Sequence, residues 1–143
     1  MSVNHHTKDK GDLGVLKAQL DLHLKGYVIL SPNSEHLPFD LVAYKDKKFI
    51  RIQVKYRAVN DKGTIQVPLT TSWADKNGTH INFYDRSELD ILCIYCPDTD
   101  KCYYIDVNTC PKRTLTLRVV DSKVPNKNVN CANDYIDIPD RFQ

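Results

Sequence analysis

The sequence lacks the long apolar stretches and repeats that define several classes of protein. No window approaches the roughly 18 consecutive apolar residues that a membrane-spanning helix requires. We also find no internal repeat and no low-complexity tract. Residues 1–6 lack the apolar core of a secretory signal, and the composition excludes collagen, intrinsic disorder and a disulfide-rich scaffold. We therefore expect a globular protein with no membrane partner.

The cysteines are few and odd in number. Because there are five, they cannot all pair within the chain, and reduced thiols in a cytosol are the simpler interpretation. Cys93-x-x-Cys96, followed by Cys102 and Cys110, invites comparison with zinc sites. Within one strand, however, residues three apart point to opposite faces. This spacing suits chelation poorly, so we do not expect a zinc site.

Motifs for nucleotide cofactors and serine hydrolases are also missing, since there is no P-loop, Gly-rich dinucleotide loop or Gly-x-Ser-x-Gly elbow. The 143 residues are 41% apolar and 27% charged, which is enough for one core and too short for two sizeable domains. We expect a single domain over residues 1–143.

The formal charge is 20 − 18 = +2, yet residues 1–58 carry ten basic and six acidic side chains, a balance of +4. This excess favours a polyanionic partner, although solvated lysines on any surface look the same.

Hydrophobic spacing predicts one helix followed by strands. The helix begins at Thr7 or Asp9 and ends near Lys25, and its leucines at 13, 16, 20 and 24 form one apolar stripe. Short apolar runs predict strands at 27–30, 37–44, 49–57, 64–69, 80–84, 90–95, 102–107 and 114–120. The fold class is therefore α+β, with an N-terminal helix on a mixed, mostly antiparallel sheet. We expect a core over residues 7–119 and an irregular C-terminal tail over 120–143.

The second and third predicted strands form a hairpin whose open end collects polar groups. Gln53 and Lys55 share one face of the third strand because side chains alternate. If the turn is centred at 46–47, Asp40 lies opposite Gln53, and Lys55 is its diagonal neighbour. A carboxylate, an amide and an ammonium group then converge, although a one-residue slip of register would separate them. Taken without further motifs, Asp40 near Lys55 is more simply interpreted as a cross-strand ion pair.

These residues occur in a pattern that resembles a nuclease signature. Pro38-Phe39-Asp40, followed after twelve residues by Gln53-Val54-Lys55, resembles the PD-(D/E)XK motif, with Gln53 in place of the second acid. Further segments are similar, in order, to the group I intron homing endonucleases of that superfamily; they include 7–12, 26–28, 49–56, 95–97, 103–105 and 115–118. The resemblance covers residues 7–119. It implies a PD-(D/E)XK nuclease-like core with a catalytic β-hairpin, and a site-specific double-strand DNA endonuclease.

The resemblance implies that phosphodiester hydrolysis depends on Mg²⁺. Asp40 would be the principal metal ligand, and the backbone carbonyl of Val54 would be a second. Lys55 would orient or polarise the attacking water, or stabilise charge on the phosphate. These roles agree with the preference of Mg²⁺ for hard oxygen ligands.

The amide at position 53 changes the charge of this site. Gln53 can still touch the metal or accept a hydrogen bond from its water, but it attracts the cation less than an acid would. The site therefore has reason to recruit another carboxylate. In the superfamily an acid on the first helix often serves, which makes Asp12 the first candidate here and Glu35 the reserve. Asp12 could also simply complement the helix dipole.

Basic and polar side chains outside the hairpin are candidates for DNA contacts. The start of the helix suits a phosphate, and the segment 62–82 could form a two-stranded ribbon that enters the major groove. Alternatively, the ribbon and the basic strand face are simply solvated. The candidates are Lys8, Lys10, Arg51, Arg57, Lys62, Gln66, Lys76 and Asn77.

A homing enzyme must single out one long DNA site, yet a chain of this size makes few base contacts. Several copies on a near-palindromic site multiply these contacts and supply one active site per strand. We therefore expect a homodimer or homotetramer, in the cytoplasm or in an organelle matrix if the gene lies in an organelle intron. Two alternatives remain: a structure-specific nuclease such as a Holliday junction resolvase, and a DNA-binding module whose catalytic site has decayed.

Overall fold

The computed structural model describes residues 7–120 and 129–143, which form one helix, nine strands and three short 3₁₀ helices. Helix α1 spans Thr7–Leu24. The strands are β1 (Val28–Leu30), β2 (Leu41–Lys45), β3 (Lys48–Tyr56), β4 (Thr64–Pro68), β5 (Thr70–Asp75), β6 (Gly78–Phe83), β7 (Ile91–Cys96), β8 (Lys101–Asp106) and β9 (Thr114–Arg118). The 3₁₀ helices are Val107–Thr109, Ala132–Tyr135 and Asp140–Phe142. The predicted α+β class is confirmed. No helix among the described residues is long and apolar enough to cross a membrane.

A mixed five-stranded sheet in the order β1-β2-β3-β7-β8 forms the centre of the fold. Only β3 and β7 run parallel within it; the other neighbours are antiparallel, as predicted. Helix α1 packs on one face, over a cluster that includes Ile50 and Ile52 of β3. The antiparallel pair β4-β9 packs on the other face, over Leu92 and Ile94 of β7. Cys93 and Cys96 belong to different clusters, which confirms that they point to opposite faces.

The predicted register of the β2-β3 hairpin is confirmed from Leu41 to Lys45, but it does not extend to the expected pairing of Asp40 with Gln53. Strands β2 and β3 are joined by Asp46 and Lys47, whose φ angles of 51° and 68° are those of a type I′ turn. The Cα partners include Leu41 with Ile52 and Ala43 with Ile50, so paired positions sum to 93. A two-residue turn of this type fixes the register of the strands that follow it.

Most of the leucine stripe of α1 does not face the core. The helix buries Gly14, Ala18 and Leu22, whereas Leu16, Leu20 and Leu24 are 62%, 55% and 75% exposed. A Cβ at Gly14 would lie only 3.5 Å from Val54 and 3.6 Å from Tyr56. The helix therefore approaches β3 closely, and small residues occupy the packed face that large leucines would hold apart.

Three strands differ from what their sequences suggest, in burial, in extent or in pairing. β1 comes from a short apolar run, but it is an edge strand on which Val28 and Leu30 are exposed. Residues 70–75 were expected to be loop, yet they form β5 and pair with β6 as a separate ribbon. β4 was expected to belong to that ribbon, but it pairs with the distant β9.

The described part of the C-terminal tail, residues 129–143, packs onto the domain. Ala132 and Ile138 are buried, and Arg141 donates to the Asp106 carboxylate through its Nε and, at 2.9 Å, through a terminal nitrogen. The Lys48 ammonium also donates to the carbonyl of Gln143 at 2.6 Å. The tail contains 3₁₀ turns in place of a wholly irregular path, while 121–128 of the predicted tail lies outside the described residues.

Candidate active site

A local distortion of the hairpin delivers the Asp40 carboxylate to β3. Leu41 is the Cα partner of Ile52, and the backbone N–H of Asp40 also donates to the Ile52 carbonyl, at 2.9 Å. Two consecutive residues thus oppose one, which is the count of a β-bulge. Beyond this point the backbone N–H of Val54 donates to the Asp40 carboxylate at 2.7 Å. The side chain of Asp40 therefore accepts a hydrogen bond at the position where the ladder of β2 has ended.

The backbone of Val54 faces the same side as this carboxylate. In a strand, the N–H and C=O of one residue point toward the same neighbouring strand. Because the Val54 N–H is bonded to Asp40, the Val54 carbonyl also points toward the mouth of the hairpin. A carboxylate oxygen and a carbonyl oxygen are thus directed into one region by the backbone itself.

The amide of Gln53 brings a third oxygen that lacks a donor. Gln53 lies on the sheet face opposite α1, since its neighbours Ile52 and Val54 point toward the helix. Its Oε1 is buried, and no donor among residues 7–120 and 129–143 lies within hydrogen-bonding distance of it. A buried acceptor without a partner is costly. This oxygen is therefore suited to accept a ligand that the protein itself does not provide.

Lys55 projects from the same face as Gln53, two residues along β3. Its ammonium lies 5.3 Å from the centre of the Tyr84 ring, which is within the range of a cation–π contact. Tyr84 is partly buried against the core beneath β4-β9, and its backbone N–H donates to the Leu69 carbonyl at 3.4 Å. The aromatic ring therefore gives the lysine a fixed neighbour beside the hairpin.

The order of these groups along the chain matches a known family. A family model for PD-(D/E)XK endonucleases matches residues 5–138. The chain belongs to the PD-(D/E)XK endonuclease family. It also matches the structure of a bacterial homing endonuclease, I-Ssp6803I, with a TM-score of 0.79 and 20% sequence identity over 92% of this chain and 88% of that one. At this identity the similarity establishes the fold. A search of curated proteins gave no significant match.

The two acids that were expected to supply a further metal ligand do not belong to a cluster of possible ligands in the part of the chain that the structure describes. Asp12 is exposed on α1, which packs on the face opposite Lys55, and Glu35 is exposed in the loop before Asp40. Among the described residues, no three His, Cys, Asp or Glu side chains lie close enough together to hold a metal ion. A role for Asp12 or Glu35 as a ligand stays a prediction.

Arg51 is held by the protein in a way that the sequence did not reveal. Its guanidinium donates to both carboxylate oxygens of Asp90, at 3.0 and 3.1 Å, and to the Ser87 carbonyl at 3.0 Å. Burial alone would raise the pKa of Asp90, but hydrogen bonds from the side chain and backbone of Arg51 hold that pKa below its usual value. Three of its five N–H donors are thus engaged within the protein, and a contact between Arg51 and phosphate stays a prediction.

The other candidates for DNA contact are divided among three regions. Lys8 and Lys10 are exposed near the start of α1, and Lys76 and Asn77 form the tip of the β5-β6 ribbon. The remaining candidates are Arg57, directly after β3, Lys62, in the turn before β4, and Gln66, which faces solvent on β4. The expected grouping of Lys62 and Gln66 with the ribbon was wrong, because β4 belongs to the β4-β9 layer.

The ribbon carries an aromatic group that the sequence could not place. The rings of Trp73 and His80 stack with their centres 5.0 Å apart, and the His80 Nε2 lies 3.1 Å from an Asp75 carboxylate oxygen. These three side chains share one face because Trp73 pairs with His80 and Asp75 pairs with Gly78. Trp73 is still 48% exposed, so this face of the ribbon is open to a partner.

Proposed function

We propose that this chain is a site-specific, Mg²⁺-dependent double-strand DNA endonuclease of the intron-homing type. The observation that supports it most directly is the hairpin mouth, where the Asp40 carboxylate meets the Val54 backbone at 2.7 Å. Gln53 and Lys55 stand on the adjoining strand face. Family membership supports the endonuclease chemistry, and the structural neighbour is a bacterial homing endonuclease.

The donor set at this mouth fits a hard divalent cation. Asp40 offers a carboxylate, Val54 a backbone carbonyl and Gln53 a buried amide oxygen that has no donor among the described residues. Mg²⁺ prefers oxygen ligands and keeps several waters, so three protein oxygens suffice for a site completed by water and phosphate. When bound, the cation supplies Lewis acidity and lowers the pKa of coordinated water.

Lys55 then acts on the DNA rather than on the fold. Its ammonium has the aromatic face of Tyr84 as a neighbour, and its side chain projects from the same strand face as Gln53. A positive group there stabilises negative charge that develops on the scissile phosphate, and it orients the attacking water. The Asp40 carboxylate and the Lys55 ammonium thus serve different partners, in contrast to a simple cross-strand ion pair.

The β5-β6 ribbon is the element proposed to contact bases. Nearly every residue of both strands is exposed, and an isolated two-stranded hairpin is marginally stable in water. A ribbon of this kind fits the major groove, where amides such as Asn77 read adenine and Lys76 reads guanine. Lys8, Lys10, Arg57, Lys62 and Gln66 are proposed to contact phosphates or base edges beside it.

We also propose that two or four copies of the chain act on one DNA site. One chain offers one hairpin mouth, whereas a double-strand break needs two strands cut. A symmetric oligomer on a near-palindromic site provides a mouth for each strand.

The proposal is tested by cleavage of DNA that joins the exons flanking the intron in which this reading frame lies. We expect linear product in Mg²⁺ and binding without cleavage in Ca²⁺. Asp40→Asn should lower the cleavage rate by at least about a hundredfold, since one metal-ligating charge is lost, while binding in Ca²⁺ changes little. Asp46→Asn, at the other end of the same hairpin, is the matched control and should cleave normally.

Three results would count against this function. Cleavage at the wild-type rate by Asp40→Asn would remove the metal assignment. Cutting of branched DNA in preference to the linear site would favour a junction resolvase. Binding without cleavage in both Mg²⁺ and Mn²⁺ would favour a decayed DNA-binding module, with Gln53 as the trace of that decay.

A further inference from the structure

The two faces of the central sheet are covered unequally. Helix α1 packs across the first face, and the β4-β9 layer packs over the β7-β8 half of the second. Within residues 7–120 and 129–143, nothing of comparable size covers the second face over β1 and β2. Five apolar or aromatic side chains stand there, and we call them the sheet-face patch: Val28, Leu30, Val42, Tyr44 and Phe49.

The strand register shows that these side chains share one surface. Val28 pairs with Tyr44, and Tyr44 pairs with Phe49; directly opposed residues lie on the same face of a sheet. Leu30 pairs with Val42 in the adjacent row. Their neighbours along the strands, Ile29, Ala43 and Ile50, pack beneath α1 on the other face. The patch is therefore continuous across three strands.

Three members of the patch are strongly exposed for apolar side chains. Val28 is 57%, Leu30 43% and Phe49 64% exposed, and the rings of Tyr44 and Phe49 lie 4.7 Å apart. Together they present roughly 300 Å² of apolar surface, which is the lower end of the range for the largest patch on a monomer, a patch that is often functional. A standard interface covers about 800 Å² per partner, of which somewhat more than half is apolar. The patch can therefore supply the apolar centre of such an interface.

We infer that the sheet-face patch binds the same patch of a second copy of this chain. The inference rests on the proposed function, because a double-strand break needs a second hairpin mouth. DNA is a poor occupant, since these side chains offer a single hydroxyl and no charge or amide to phosphates or base edges. A second copy presents the same apolar surface, and a two-fold axis makes the contact self-complementary.

The position of the patch favours this contact for function. Val42 and Tyr44 follow Asp40 by two and four residues along the same chain, or about 7 and 14 Å at roughly 3.4 Å per residue. Sheets that pack face to face lie about 10 Å apart, so a two-fold axis along the strands brings both Asp40 side chains to the same end of the pair. One duplex can then reach both hairpin mouths.

The exposed leucine stripe of α1 (Leu16, Leu20 and Leu24) is the rival surface for a second copy. A contact there would place two helix layers between the two sheets. With about 10 Å for each layer contact, the sheets would lie roughly 30 Å apart, and the hairpin mouths would lie on the outer sides. This arrangement presents two mouths to one duplex less readily than the sheet-face contact does.

Light scattering after gel filtration tests the inference on the full chain without DNA. The wild type should show at least 2 × 16.5 = 33.0 kDa, whereas Phe49→Glu should show half the wild-type mass, which for a dimer is the 16.5 kDa of one chain. Ile136→Glu makes the same change at a side chain that is 40% exposed in the tail and should keep the wild-type mass. Circular dichroism confirms that each variant is folded, and Val28→Lys repeats the test from a second strand.

Four outcomes overturn the inference: a monomeric wild type, an unchanged mass for both patch variants, loss of mass by Ile136→Glu as well, and loss of mass by Leu20→Glu alone. A DNA assay separates this failure from failure of the nuclease proposal. A monomeric Phe49→Glu should nick plasmid substrate and yield little linear product. If the patch variants keep their mass but the wild type cleaves, the surface is wrong and the nuclease stands. If the patch variants dissociate and no protein cleaves, the surface is right and the nuclease proposal fails.

Discussion

The aromatic ring beside Lys55 should tune the rate of DNA cleavage without changing DNA affinity. The ammonium lies 5.3 Å from the Tyr84 ring centre, and both side chains are partly buried. Cation–π contacts contribute about 0.5–1 kcal/mol when exposed and about 2 kcal/mol when desolvated. An intermediate value of about 1 kcal/mol corresponds to roughly a fivefold change in rate. Tyr84→Leu, which removes the ring, should therefore slow cleavage by about that factor.

The matched variant Tyr84→Phe keeps the ring and removes only the hydroxyl, so it should cleave near the wild-type rate. The rate is measured in single turnover with excess enzyme, which isolates the chemical step from product release. DNA affinity is measured separately in Ca²⁺ by fluorescence anisotropy and should be the same for all three proteins. This separation matters because a merely structural role for Tyr84 would change both quantities.

Two results would refute the reasoning. If Tyr84→Leu cleaves as fast as the wild type, the ring does not position the ammonium. If Tyr84→Phe is as slow as Tyr84→Leu, the hydroxyl matters and the cation–π explanation fails. A thermal melt of each variant shows whether a slow rate reflects unfolding, because Tyr84 also packs against the core beneath β4-β9.

Two further predictions concern stability. Gly14→Ala should raise the free energy of unfolding by about 1 kcal/mol, because alanine is the better helix former and its Cβ would meet Val54 and Tyr56 at ordinary contact distances of 3.5 and 3.6 Å; a lower urea midpoint would contradict this. The lowered pKa of Asp90 beside Arg51 contributes stability that is present above the unfolded value near pH 4 and is lost as the pH falls through the folded value. Asp90→Asn should therefore show a lower melting temperature at pH 7 and a shallower loss between about pH 5 and 2; parallel melting curves would contradict the assignment.

The parts of the fold that the sequence predicts well are those fixed by neighbours in the chain. A two-residue turn at Asp46 and Lys47 sets the hairpin register, and strand alternation then places Gln53 and Lys55 on one face. Leucine spacing did not identify the packed face of the helix, because that face is formed by Gly14, Ala18 and Leu22 while most of the leucine stripe is exposed. The sequence did not predict that β4 pairs with β9, because these strands are about fifty residues apart and no local pattern marks such a partner.

The candidate site divides in the same way. Asp40, Gln53, Val54 and Lys55 lie within sixteen residues and form a recognisable motif. The residues that hold the side chains of β3 come from distant parts of the sequence. Tyr84 contacts Lys55 from the end of the ribbon, and Asp90, which precedes β7, accepts hydrogen bonds from Arg51. Contacts of this kind depend on the tertiary arrangement of the parallel β3-β7 pair. The sequence can therefore name the groups that do chemistry, but it cannot name those that hold them.

The bulge at Asp40 decides how the site should be probed. The carboxylate accepts the Val54 N–H at 2.7 Å, so Asp40 both holds the hairpin mouth and supplies its charge. Alanine would remove both functions and leave a backbone donor without its partner, at a cost of about 1–3 kcal/mol if water cannot replace it. Asparagine keeps a carbonyl oxygen that can accept the same hydrogen bond while the charge is lost. An inactive Asp40→Asn protein with wild-type melting temperature would therefore assign the defect to charge, whereas a lower melting temperature would assign it at least partly to the fold.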